Sequence, residues 1–489
     1  MPCVCYDNGS MVVFQGKKLV GRLEAVAFMT GFALMAFEMV AARILAPSVG
    51  SSTYVWTSVI GVIIAALSLG YWVGGMVADI RARLGDIVWL CLLASLMVVA
   101  TLLIHRELLS WVTLVGEDSR VQAVIASILL FAPVSFLLGM LSPYLVKLKV
   151  TSLDTSGKSV ASLSALNSIG GIAGTFTTGF ILFGHIGSRE TLVIVILLLL
   201  MSSWLIAYSY QWALRAAFSV ALLVMAVLPA GQAGGVARID TPSAHYDIVQ
   251  TTYDKQLINA LITGPGHSQS AVHLGNPDKL VFWYNQQIAK VAGEKKPKDI
   301  LVLGGGAFTL PQYLANTLPD SNIDVVEIDP QLEKISEKYF EYTHPANVNL
   351  IFDDARIYVD ETDKTYDMVV VDVYGANSIP FTFMTREFGQ SVARITRPEG
   401  VVAANVIGGL HGKCREVTAA VDSAYRVELS HAQWATQSGK AKDAVNYIIT
   451  YTKTPQDFAG MTAFSPLGGP LYTDNFSPSD RLHFACESA

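Results

Sequence analysis

Seven long apolar runs, at about residues 23–46, 54–78, 86–104, 121–145, 160–183, 191–210 and 212–230, fill the first half of the chain. A membrane-crossing helix needs about 20 mostly apolar residues, so these runs predict a polytopic α-helical membrane domain. After Gly231 the pattern changes, because Lys, Asp and Glu concentrate there and the apolar runs shorten. Only 15% of the 489 residues are charged, against about a quarter in soluble domains. The expected layout is a tail over 1–22, a membrane domain over 23–230, a small β-rich subdomain over 240–295 and an α/β domain over 296–489.

The formal net charge of −6, with no basic run, excludes a nucleic-acid-binding surface, which needs clustered Lys and Arg. The five cysteines, Cys3, Cys5, Cys91, Cys414 and Cys486, form no C-x-x-C pair and lack a His at zinc spacing. Neither a disulfide framework nor a metal site is expected from that spacing. Lys17, Lys18 and Arg22 precede the first apolar run, which lacks a small-residue cleavage pattern and reads as a span rather than a removed signal.

Recurring glycines inside the runs, such as Gly70, Gly74 and Gly75 or Gly170, Gly171 and Gly174, are packing positions where helix backbones approach. Glu38 and Arg43 lie within or near the end of the first span, where an ionisable group is costly unless paired or facing a cavity. They read equally as a structural contact or as a site for a cationic solute. Asp79, Arg81 and Arg83 form a short charged loop that resembles the loop after the second helix of major-facilitator transporters.

Lys17, Lys18 and Arg22, then Arg81 and Arg83, then Lys147, Lys149 and Lys158 fall in alternate loops, which the positive-inside rule places in the cytoplasm. Seven spans would then put the C-terminal half outside, and the stretch Arg215 to Ala233 looks somewhat like an internal export signal. A cytoplasmic cofactor argues the other way. The reading favoured at this point is an even number of spans in the cell (inner) membrane, with a cytoplasmic domain.

From Asp299 onward short β-rich runs alternate with amphipathic helices, predicting a Rossmann-like doubly wound parallel sheet. Strands are expected at about 299–303, 323–327, 348–352, 367–372, 400–406, 428–434 and 444–452. The first ends in Gly304, Gly305 and Gly306 before a helix, so backbone amides face a ligand at the strand's carboxyl end. The second ends in Glu327, where a carboxylate can accept both ribose hydroxyls. Asp353-Asp354-Ala355 follows the third strand, positioned to meet an adenine amino group, and Asp372 ends the fourth.

The segments Ile300-Leu-Val-Leu-Gly-Gly-Gly306, Val326-Glu-Ile-Asp-Pro330, Asp353-Asp-Ala355, Tyr366-Asp-Met-Val-Val-Val-Asp372 and Phe383-Met-Thr-Arg-Glu-Phe388 resemble the successive motifs of spermidine synthases. His267-Ser268, Asn276-Pro277 and Trp283-Tyr284 follow or end a strand-rich stretch from about Tyr246 to His273, similar to that family's small N-terminal β-domain. Phe37-Glu-Met-Val-Ala-Ala-Arg43 and Thr473-Asp-Asn-Phe-Ser-Pro478 are similar to segments of its membrane-fused variety. The resemblance implies aminopropyl transfer from decarboxylated S-adenosylmethionine, used as co-substrate with no tightly bound cofactor, to a small-molecule amine. It further implies a lipid bilayer as partner and allows a homodimer. Carried over by position, Glu327 holds the ribose, Asp354 and Ala355 the adenine end, and Asp372 is base or anchor for the attacking amine. Tyr284, with Tyr246 and Gln269, lines the substrate pocket.

This chain also departs from the family. Ala307 stands where an acidic residue usually follows the glycines, Tyr284-Asn285-Gln286 replaces Tyr-His-Glu, and Gly375 replaces a second Asp. Each change removes charge from a pocket meant for cationic amines. Two alternatives therefore stay open: an enzyme using intact S-adenosylmethionine for methyl or aminocarboxypropyl transfer, and a transporter with a nucleoside-sensing domain.

Overall fold

The computed structural model describes residues 3–7, 10–14, 16–50, 52–115, 118–150, 156–206, 211–227, 236–264, 267–375, 378–437 and 445–487. Two compact units divide it: Met1–Gln232 with Asp240–Pro242, and Ala233–Ile239 with Ser243–Ala489. The export-like stretch Arg215 to Ala233 is described as far as Val227, and its remainder lies outside the described residues.

The first unit opens with a hairpin of β1 (Cys3–Asp7) and β2 (Ser10–Phe14) that the sequence reading did not anticipate. Helices α1 (Gly16–Val49), α2 (Thr53–Ile80), α3 (Leu84–Val115), α4 (Ser119–Leu130), α5 (Ala132–Lys149) and α6 (Ser156–Phe176) follow. A π-helical stretch, Thr177–Leu182, leads through the turn α7 (Phe183–His185) into α8 (Ser188–Ile206) and α9 (Trp212–Val227). Five of the helices are long and apolar enough to cross a membrane, and joining α4 to α5 makes up to six. The single span expected over 121–145 is instead broken by a 50° bend between Leu130 and Ala132. Pro133, at the start of α5, lacks an amide hydrogen and cannot continue a helix from α4.

Glycines set two tight helix pairs. A Cβ on Gly170 would overlap the Phe28 carbonyl of α1, and one on Gly70 the Phe136 carbonyl of α5. The charged loop expected after the second span pairs with neighbouring helices: Arg81 with Asp86 of α3 at 2.6 Å, and Asp79 with Lys147 of α5 at 2.7 Å. Arg43 donates to the carbonyls of Thr241 and Pro242 and lies over the Phe183 ring, which is a structural role.

The second unit begins with a four-stranded sheet of order β3 (Ala237–Asp240, its last residue counted with the first unit), β4 (His245–Tyr253), β5 (Gln256–Gly264), β6 (His267–His273). Then α10 (Trp283–Lys295), β7 (Asp299–Leu303), α11 (Thr309–Thr317), β8 (Asn322–Glu327), α12 (Gln331–Tyr339), β9 (Val348–Phe352), α13 (Ala355–Glu361) and β10 (Tyr366–Val371) alternate. After them come α14 (Arg386–Ile395), β11 (Thr396–Gly408), α15 (Arg415–Tyr425), β12 (His431–Thr436), β13 (Val445–Thr452), β14 (Thr462–Ala463) and α16 (Ser479–Glu487). The eight-stranded sheet runs β14-β12-β13-β11-β10-β7-β8-β9. Strands β9, β8, β7, β10 and β11 are parallel and β13, β12 and β14 antiparallel.

Period-two burial explains why these strands form a doubly covered sheet. Leu301, Leu303, Val369 and Val371 feed one core, while Ile300, Val302, Met368 and Val370 feed the other. The strand order reverses between β7 and β10, so their carboxyl ends open a crevice. The second unit is thus Rossmann-like.

One sequence expectation is overturned here. Cys414 and Cys486 are joined as a disulfide across 72 residues. Spacing gave no hint, because the pairing depends on α16 returning to the loop before α15.

Candidate active site

The loop after β7 is shaped by one residue that must be glycine. Gly304 has φ +91°, and a Cβ there would overlap the carbonyl oxygen of Asp372, so the chain passes directly over the end of β10. Gly304 N donates to Val326 O at 2.9 Å and Asp372 N to Leu303 O at 2.9 Å. These bonds bring Gly304, Glu327 and Asp372 to one sheet edge.

Glu327 is 8% exposed. Its Oε2 accepts from Gly305 N at 2.9 Å and Gly306 N at 3.2 Å, and its Oε1 from Asp329 N at 3.1 Å. Burial pushes its carboxyl up, against the pull of those three backbone donors. Asp354 Oδ1 caps α13, accepting from Arg356 N at 2.7 Å and Ile357 N at 3.4 Å. Ala355 opens that helix and is buried.

At the end of β10, Asp372 Oδ1 accepts from Asn405 Nδ2 at 2.9 Å, and Asn405 Oδ1 accepts from Asn446 Nδ2 at 2.9 Å. Burial raises the Asp372 carboxyl to about 6, with the Asn405 bond pulling it down. Burial, and after it the Asp372 charge, raise the hydroxyls of Tyr284 and Tyr374 well above the usual phenol range. Tyr374 OH donates to Asn405 O at 3.0 Å and accepts from Ile407 N at 2.7 Å. Tyr284 OH donates to Gln269 O at 3.0 Å, and Gln269 Nε2 meets Gly375 O at 3.5 Å. The structure therefore groups Asp372, Tyr284, Tyr374, Gln269 and Asn405.

Tyr246 is 3% exposed, and its hydroxyl donates to Asp329 Oδ2 at 3.0 Å. The buried phenol thus supports the loop after Glu327. Gln286, one of the substitutions noted in the sequence, bonds back to Leu280 O at 2.8 Å.

Sequence reading missed Asn405, Tyr374 and Arg356. Asn405 left a faint signal as the one polar residue in Val401-Val-Ala-Ala-Asn-Val-Ile407. Arg356 joins three expected segments: its Nη2 donates to Asp474 Oδ2 at 2.8 Å, its Nη1 to Thr382 O at 2.8 Å, and its Nε to Asp360 Oδ2 at 2.7 Å. Thr385 Oγ1 donates to Asp474 Oδ1 at 2.7 Å.

In the helical unit, a cavity lined in part by Thr30, Tyr71, Ser142 and Asn167 encloses ≈ 20 Å³, room for about one water.

The second unit is an α/β sheet whose strand order reverses between β7 and β10, with Glu327 and Asp372 at the ends of two strands. Residues 281–413 match the family model for the spermine/spermidine synthase domain, so the C-terminal unit carries a domain of the spermidine synthase type. The chain is similar to a polyamine aminopropyltransferase of Vibrio vulnificus (strain CMCP6), with 32% identity over 133 residues, 26% of this chain and 44% of that protein. It is also similar to putrescine N-methyltransferase 2 of Nicotiana tabacum, 27% identical over 175 residues, 33% of this chain and 47% of that one. A probable spermidine synthase from Corynebacterium glutamicum aligns in structure with a TM-score of 0.39 at 22% identity, covering 46% of this chain and 82% of that one. The chain thus spans less than half the length of either curated relative.

Proposed function

We propose that the protein is a membrane-bound transferase acting on a sulfonium nucleoside and an amine, with aminopropyl transfer as the leading reaction. In this reading residues 23–230 form the membrane domain, 240–295 the small β-rich subdomain and 296–489 the catalytic domain. Glu327 and Asp354 hold the ribose and adenine ends, with the Gly304–Gly306 loop and Ala355 beside them.

The observation that carries the reading is the Asp372 carboxyl, raised to about 6 and grouped with Tyr284, Tyr374 and Gln269. A carboxyl tuned toward neutrality suits proton acceptance from an ammonium group. The amine nitrogen attacks the carbon next to sulfur, and a C–N bond forms as the C–S bond breaks. The bonding pair returns to sulfur, giving methylthioadenosine, and the surplus amine proton passes to Asp372 and then to solvent. The protein aligns nucleophile and leaving group, where most of the rate gain from proximity lies.

One observation favours a second reading. A putrescine N-methyltransferase is among the relatives. Methyl transfer from the intact donor would use the same nucleoside seat and the same base.

The test supplies detergent-purified protein with either donor and a mixture of amines, and identifies the nucleoside product by mass spectrometry. Methylthioadenosine formed only from the decarboxylated donor, and only with amine present, supports aminopropyl transfer. S-adenosylhomocysteine from the intact donor moves the assignment to methyl transfer. Absence of both products overturns the proposal.

A further inference from the structure

We infer that the synthase-type unit stands on the non-cytoplasmic, oxidising side of the membrane, opposite to the side favoured from sequence alone. Three independent features of the chain lead there, and none depends on which group is transferred.

The first is α9. With 16 residues at 1.5 Å each it is about 24 Å long, and hydrogen bonds join each of its ends to the opposite end of α8. Arg189, at the start of α8, donates to Ala226 O near the end of α9 at 3.1 Å. At the other end Arg215 donates to Ser203 O at 2.7 Å. A helix that returns the full length of a crossing helix crosses back, so α9 is a seventh span once α4 and α5 count as one.

The second is where the chain leaves the helical unit. Ser188 N, at the head of α8, donates to Asp240 Oδ2 at 3.1 Å, and Arg43, near the end of α1, donates to Pro242 O at 3.0 Å. Residues Asp240–Pro242 belong to the helical unit and are held at the α1-end and α8-start face. The opposite face carries Lys149 paired with Glu24 at 2.6 Å, Lys147 paired with Asp79, and the Arg81–Asp86 pair. By the bounds and alternating directions of the helices, Lys17, Lys18, Arg22, Arg83 and Lys158 fall at that face too, whereas Arg43, Arg106, Arg120 and Arg189 fall toward the other. The larger basic set marks the cytoplasmic face, so the exit at Asp240–Pro242 is on the outer one.

The third is the Cys414–Cys486 disulfide. Such bonds persist in oxidising compartments and are rare in reducing cytosol.

If the function proposed above holds, the site draws its amine from the outer compartment. A permanently charged sulfonium nucleoside does not cross a bilayer unaided, so a membrane-transfer step must supply the donor.

The test uses the full chain in cells, with Cys3 and Cys5 replaced by Ser. Single reporters are placed at Asp363→Cys in the second unit, at Glu337→Cys as an independent second position, and at Lys158→Cys on the basic face. Spheroplasts are treated with a membrane-impermeant maleimide before or after lysis. Labelling of Asp363→Cys or Glu337→Cys before lysis, with Lys158→Cys labelled only after it, is the expected result. The reverse pattern overturns the inference. Thiol-trapping of the unsubstituted chain should show Cys414 and Cys486 blocked until reductant is added; two free thiols in cells would also count against it. The detergent assay above is blind to sidedness, so the two proposals fail separately.

Discussion

Asn405 Nδ2 stands 2.9 Å from Asp372 Oδ1 and is the one side-chain donor that holds the Asp372 carboxylate, among the described residues. Asn405 is itself fixed by Asn446 and by the Tyr374 hydroxyl on its carbonyl. Replacing it with Leu removes a bond that favours the ionised form. Hydrogen bonds to charged groups contribute about 1.5–3 kcal/mol, or about one to two pKa units. The ascending limb of the rate against pH, expected near the Asp372 value of about 6, should move up by about that amount in Asn405→Leu. A lower rate with an unmoved limb would mean that Asn405 only supports the fold. For stability the sign is the reverse of an ordinary paired carboxylate: the folded form holds its proton more tightly, so stability falls as pH rises from 3.8 to about 6.

Asp372→Asn keeps the shape and the Asn405 neighbour but removes the proposed base. The turnover rate should fall by about 10²–10⁴-fold, while nucleoside affinity measured by calorimetry stays within a few-fold. Turnover at the parent rate would remove Asp372 from the mechanism.

Gly304→Ala should abolish nucleoside binding and destabilise the second unit. The added methyl meets the Asp372 carbonyl and the residue sits at φ +91°, so both the loop and the end of β10 must move. Calorimetric titration and a thermal melt check this. An Ala variant that binds nucleoside with parent affinity would contradict the close approach described above.

Arg356 ties α13, the segment before α14 and the segment around Asp474 through four acceptors. Arg356→Ala should lower the melting temperature of the detergent-solubilised chain by several degrees, as expected for a loss of about 1–3 kcal/mol. Arg356→Lys should not restore it, because an ammonium cannot span several acceptors in one plane. Full rescue by Lys would show that charge alone suffices.

Much of the second unit was legible because its strands are short apolar runs bounded by helix-forming stretches. The runs 299–303 and 348–352 coincide with β7 and β9 residue for residue. Carboxylates at strand ends were legible for the same reason: Glu327 and Asp372 interrupt apolar strands. The partner of the Tyr246 hydroxyl, a buried Asp329, was not legible, because a residue's type says nothing about where its hydroxyl points. The disulfide and the Arg356 tether depend on segments 72 and 118 residues apart, which no local pattern encodes. The break before α5 did have a signal in Pro133, overridden in reading by the unbroken hydrophobicity around it.

The bonds from Gly305 N and Gly306 N to Glu327 have a consequence for ligand choice. In a dinucleotide or triphosphate pocket such amides cradle a diphosphate. Here the protein's own carboxylate occupies that seat, already neutralising the outward dipoles and adding a negative charge that a phosphate would have to meet at close range. Under the proposed function, that carboxylate sets the loop against phosphorylated nucleosides and suits a ligand bearing positive charge on sulfur.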